Sequence, residues 1–162
     1  MENMWSPWRG IYVTSPKGDK CVFCEKARNP NDDEANYVVH RGHVAFVVMN
    51  IYPYNNGHVM LMPYRHIPDI LEFTGEEMAE MDALLRLSIQ AIRSALSPEG
   101  FNIGYNIGTA AGAGIAGHIH QHIVPRWNGD TNFMPVLAEH KVISEHLDMT
   151  YKRIKDSFRR LV

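Results

Sequence analysis

His118-Ile119-His120-Gln121-His122-Ile123-Val124 is the stretch on which the reading of this chain turns. It is rich in β-branched residues and is followed by Pro125, so it reads as a strand from Ile119 to Val124. Side chains alternate between faces along a strand. That puts His118, His120 and His122 together on one side, with neighbours about 6.6 Å apart. Ile119 and Ile123 point the other way, into a core, where Gln121 is out of place. Three imidazoles on one face make a poor structural choice, because each neutral ring needs partners for two nitrogens and charged rings repel one another. The expectation is a chemical use for this strand; a metal-binding strand or a His-rich surface strand are the plainer alternatives.

Directly upstream, Gly108 to Gly117 holds four glycines and four alanines. No Gly-Lys-Ser/Thr follows, so it is not a Walker loop, but its backbone N–H groups can approach an anion closely. A flexible connector is the default for such a loop; its place before the histidines makes it a candidate phosphate cradle. Further back, Phe101, Ile103 and Tyr105 alternate as a half-buried strand. A long helix is predicted after Thr74, where Thr74 and Glu77 form a capping-box pattern. Met78, Met81, Leu84, Leu85, Ile89, Ile92 and Leu96 then recur at helical spacing as a core face, up to Ser97-Pro98.

Tyr37 to His40 and Val44 to Met49 read as a hairpin around Arg41-Gly42-His43. Asn50 to Gly57 is a loop, and His58 to Met62 is a strand stopped by Pro63. A basic-rich helix is expected between Ile143 and Leu161. Residues 1–20 read as irregular, with Trp5, Trp8 and Tyr12 laid against the body. His40, His43, His140 and His146 read as solvated surface histidines. Strands, then a helix, then strands, with short early links, favour an antiparallel α+β sheet within one domain spanning 1–162.

The chain has 162 residues and a net charge of −2, which gives no broad electrostatic reason to bind nucleic acid. The N-terminus lacks the basic and apolar regions of a signal peptide, and the apolar run Val44–Met49 is far too short for a bilayer span, so a cytoplasmic protein with no membrane partner is expected. There are two cysteines, in Cys21-Val22-Phe23-Cys24. That spacing supplies half a zinc site; two reduced cysteines near the core are the alternative.

The heptad from His118 resembles the histidine-triad motif, in which histidines alternate with hydrophobic residues. Asn50-Ile-Tyr-Pro-Tyr-Asn-Asn-Gly-His58 with Pro63-Tyr64-Arg65-His66 resembles that family's nucleoside-binding strand and loop. Pro125-Arg126-Trp127-Asn128-Gly129-Asp130-Thr131-Asn132-Phe133 is similar to its diadenosine tetraphosphate phosphorylase branch. The resemblance implies a five-stranded antiparallel sheet with one long helix and a C-terminal helix, and a homodimer or dimer of dimers. It also implies nucleotidyl transfer or hydrolysis on a dinucleoside polyphosphate or related adenine nucleotide. His120 would attack the α-phosphorus and His122 would bond the phosphate or leaving oxygen.

For the nucleotide, the resemblance points to Asn50, where many members carry an Asp. Family members usually place Gln, Ser or Thr in the phosphate loop at the position of Gly114, which leaves the amides of Ala113 and Gly114 and the Asn106 side chain. It implies a structural Zn²⁺ on Cys21, Cys24, His66 and His118. Arg126 and Trp127 either contact the ligand or seal the strand end. A nucleoside phosphoramidate hydrolase and a non-catalytic nucleotide-binding regulator remain the competing functions.

Overall fold

Strands β1 (Val38–Arg41), β2 (Ala45–Met49), β3 (Val59–Pro63), β4 (Gly100–Tyr105) and β5 (Gln121–Arg126) form one antiparallel sheet in the order β1-β2-β3-β5-β4. The computed structural model describes residues 21–131 and 145–162, so Trp5, Trp8, Tyr12 and His140 lie outside the described residues. Helix α1 (Val22–Arg28) precedes the sheet, α2 (Gly75–Leu96) links β3 to β4, and α3 (Leu147–Leu161) closes the chain. This is the α+β architecture that the order of elements predicts. Among the described residues, no helix is long and apolar enough to cross a membrane.

The sheet is covered on both faces. Ala45, Val47, Met49, Leu61 and Ile123 pack against Met81, Leu84 and Ile92 of α2 and Tyr151, Ile154 and Phe158 of α3. The alternate residues Phe46, Val48, Met60 and Met62 pack on the other face, against Phe23 of α1. Double coverage explains why β2 and β3 are continuous apolar runs, buried at every position.

Helix α2 begins as its capping box dictates. Glu77 N–H donates to Thr74 Oγ1 at 3.1 Å, and Thr74 N–H donates back to Glu77 Oε2 at 2.9 Å. The same carboxylate receives a two-pronged bond from Arg65, at 2.7 and 2.8 Å. Arg65, together with the Thr74 backbone, holds the Glu77 carboxyl at about 2, although burial opposes this. A helix cap and the segment carrying His66 are thus fastened at one point. One turn on, Glu80 accepts the backbone N–H groups of His43, Val44 and Ala45, which clamps the β1–β2 hairpin to α2.

Several expectations are corrected. The histidine strand begins at Gln121 rather than Ile119, because β5 pairs with β3 only from Gln121 to Ile123, while Ile119 N–H donates to the Ile67 carbonyl at 2.7 Å. The strand also continues through Pro125, which is tolerated because pairing with β3 has ended there. In the same way β3 starts at Val59 and includes Pro63. Met78 on α2 is 60% exposed and Ile103 on β4 is 42% exposed, so neither joins the core. His40 is not a solvated histidine; its ring stacks on Phe158 at 5.3 Å and burial lowers its pKa.

Candidate active site and metal centre

Cys21, Cys24, His66 and His118 converge from positions as much as 97 residues apart, and their donor atoms all lie within 4.8 Å of one another. Cys21 Sγ is 3.5 Å from His118 Nδ1, Cys24 Sγ is 3.6 Å from the same atom, and Cys24 Sγ is 3.3 Å from His66 Nδ1. A tetrahedral zinc with bonds of about 2.3 Å to sulfur and about 2.0 Å to nitrogen separates those atoms by about 3.5 Å. The residues therefore fit the ion. His118 Nε2–H donates to the Pro63 carbonyl at 2.9 Å, which leaves Nδ1 as the ligand atom. Burial holds this ring at about 4, so it is neutral, as ligation requires. Burial and the neighbouring Cys21 push the Cys24 thiol above its usual range, so two thiolates here need a cation between them. Gly117 completes the fit, since a Cβ there would stand 3.2 Å from His66 Nε2. With four protein ligands and no open position, the zinc is structural.

His120 is buried beside this centre, its ring 5.0 Å from that of Phe23. Its Nδ1–H donates to the His118 carbonyl at 2.8 Å, so the lone pair resides on Nε2. Burial lowers its pKa and the carbonyl partly restores it, leaving a neutral ring near pH 7. His122 lies one strand step on, with its ring 4.9 Å from that of His120.

A fourth histidine, which the sequence reading passed over, fixes the state of His122. The Tyr54 N–H donates to His58 Nδ1 at 3.1 Å, so neutral His58 carries its proton on Nε2. That atom is 2.9 Å from His122 Nδ1, which must accept; His122 therefore holds its own proton on Nε2. The Asn106 amide stands 3.5 Å from that Nε2. His58 is wholly buried. Its available signal was indirect: it shares a face with Met60, the cross-strand partner of His122.

His120 and His122 open into a cavity of about 610 Å³, a size suited to a nucleotide. Asn50, Ala113 and Gly114 line it. The Asn50 amide lies 3.3 Å from His58 Nδ1, and its Oδ1 accepts the Tyr52 N–H. In the small-residue loop, Gly108 and Gly112 both adopt positive φ. The Ala113 N–H donates to the Gly108 carbonyl at a long 3.3 Å, a bond that an anion would have to displace.

Arg126 and Trp127 do not line the cavity. Arg126 grips Asp130 through two bonds at 2.7 and 2.8 Å and donates to Asn102 Oδ1 at 2.7 Å. Asp130 also accepts from Asn55 Nδ2 at 2.7 Å and from the Trp127 N–H. The Arg126-to-Asp130 motif is thus a clasp on the Asn50–Gly57 loop, not a ligand contact.

Known proteins are similar to this chain in sequence and fold. The HIT domain model matches residues 31–129. An "AP-4-A phosphorylase" of Mycobacterium tuberculosis is 36% identical over 167 aligned positions, covering 99% of this chain and 86% of that one. The solved structure of a hypothetical histidine triad nucleotide-binding protein from Sulfolobus tokodaii superposes with a TM-score of 0.69 at 26% identity, covering 87% of this chain and 93% of its own. A zinc-bound histidine triad family protein from Mycobacterium smegmatis gives the same TM-score and identity over 88% of this chain and 95% of its own. On the family match and the near full-length relative, this chain belongs to the HIT domain family.

Proposed function

We propose that this HIT-type enzyme transfers a nucleotidyl group through His120, with a dinucleoside polyphosphate as substrate. The observation that carries the reading is the bond from His120 Nδ1–H to the His118 carbonyl, which commits Nε2 to the cavity as a nucleophile. Nε2 attacks the α-phosphorus, a P–N bond forms, and the P–O bond to the leaving polyphosphate breaks. His122 Nε2–H donates to the departing oxygen. In the second step an acceptor oxygen attacks the phosphorus, the P–N bond breaks, and the His120 lone pair is restored. Asn50 is assigned to the ribose, with Asn106 and the backbone amides of Ala113 and Gly114 assigned to the phosphates. The relative named AP-4-A phosphorylase favours inorganic phosphate as acceptor.

Diadenosine tetraphosphate incubated with and without phosphate tests this. ADP plus ATP formed only with phosphate marks a phosphorylase, and AMP plus ATP without it marks a hydrolase. No turnover under either condition sinks the reading. Replacing His58 with alanine releases the tautomer of His122, so kcat is expected to fall on the order of 10²-fold with KM little changed. An unaltered kcat would show that His122 holds its proton without His58.

We also infer a homodimer. β4 is an edge strand, and exposed Ile103 lies on it. A second cavity is lined by Ile70, Leu71, Met78 and Gln121, and the Gln121 Oε1 is a buried oxygen with no partner among the described residues. Sedimentation as a monomer at micromolar concentration would remove this inference.

A further inference from the structure

The walls of the active-site cavity carry an uneven set of charges. No carboxylate lines it among the described residues, and Lys26 is the one lysine or arginine that does. Lys26 reaches the cavity from α1, on the same helical stripe as Val22 and Phe23. Phe23 packs on His120 and marks the reacting end. Lys26 follows it by three residues, about 4.5 Å along the helix axis.

The ammonium is held in place. It donates to the Asn36 carbonyl at 2.9 Å and to Asn36 Oδ1 at 3.1 Å. A lysine has three N–H donors, so one is left over. The phosphate-binding end belongs to His120, His122 and the small-residue loop. The other walls include the apolar side chains of Val22, Met49, Ile51 and Met60, which suit the flat faces of a base. A donor fixed at the margin of an apolar slot is placed to read a base edge.

We propose that Lys26 is a specificity-determining residue that hydrogen-bonds the base edge and favours a 6-oxopurine nucleotide over an adenine nucleotide. Guanine presents two adjacent acceptors, N7 and O6, whereas adenine sets an amino donor beside N7. An ammonium is attracted by the first pattern and opposed by half of the second. The assignment rests on the nucleotidyl-transfer reading above for the placement of the base.

Calorimetric titration of GMP and AMP into the full chain tests it without needing turnover. The unaltered protein should bind GMP about tenfold more tightly than AMP. Lys26→Met should lose that preference while its AMP affinity stays within about twofold. Lys26→Arg, which keeps donors at the same place, should retain the preference, and it carries the test if loss of the Asn36 contact unfolds Lys26→Met. Equal weakening of both nucleotides by Lys26→Met overturns the proposal and leaves only a general attraction for anions. So does a preference for GMP that survives Lys26→Met, or one that is lost in Lys26→Arg. Failure of the unaltered protein to bind either nucleotide also overturns it; cleavage of diadenosine tetraphosphate by the same preparation would then show that the transfer reading still holds.

Discussion

Replacing His120 with alanine should lower turnover of a dinucleoside polyphosphate on the order of 10⁴-fold or more, with the fold intact. The size follows from the role. The proposed route runs through a bond to Nε2, and no other described nitrogen shares its tautomeric lock and its access to the cavity. His122 is no substitute, because its Nδ1 is engaged by His58 and its Nε2 carries a proton. The fold should survive because His120 is not a zinc ligand and sits at the wall of an open cavity, where truncation leaves no closed void. His122→Ala should lose less, on the order of 10²-fold, as it removes a proton donor and not the nucleophile. Mass spectrometry of the unaltered protein, quenched rapidly after mixing with substrate in the absence of phosphate, should show up to one added nucleotidyl group per chain. Turnover of His120→Ala within tenfold of the unaltered protein would exclude the covalent route.

Loss of zinc should be the largest effect on stability. Cys24→Ser or exhaustive chelation is expected to lower the melting temperature by roughly 10 °C, which corresponds to several kcal/mol in a domain of this size. The four ligands join α1, the segment after β3 and the approach to β5, so the ion cross-links three parts of the chain distant in sequence. Because α1 also supplies Val22 and Phe23 to the cavity, KM should rise more than kcat falls. Metal analysis of Cys24→Ser should show zinc well below one ion per chain. A variant that keeps full zinc content and its melting temperature would refute the ligand set.

The parts of the fold that were legible in the sequence are those governed by local signals. The Thr74–Glu77 capping box set the start of α2, and apolar spacing set its length. The β-branched and aromatic runs on either side of Arg41-Gly42-His43 set the hairpin. What escaped depends on partners distant in the chain. Nothing near Arg126 announces that its guanidinium is spent on Asp130 and Asn102. His58 looks like a residue at a strand start until β3 is paired with β5. Met78 keeps helical spacing with Met81 yet is 60% exposed where Met81 is buried. For the site, the spacing of the triad was readable, but the division of labour within it required the cysteine pair, which the resemblance joined to His66 and His118 and the geometry then matched to zinc.

The alternation along β5 has a consequence for how the chain can change over time. In the run leading into and along this strand, the rings of His120 and His122 lie on one face and Ile119 and Ile123 on the other, so a shift of one residue would exchange them. Three independent ties hold the start of the strand: the metal on His118, the Ile119 N–H on Ile67, and the sheet pairing from Gln121. An insertion or deletion within Gly108–Gly117 must be absorbed before His118 or it sets those ties against one another. The loop is therefore constrained in length by these ties, and in identity at Gly108 and Gly112, which adopt positive φ, and at Gly117, which faces His66.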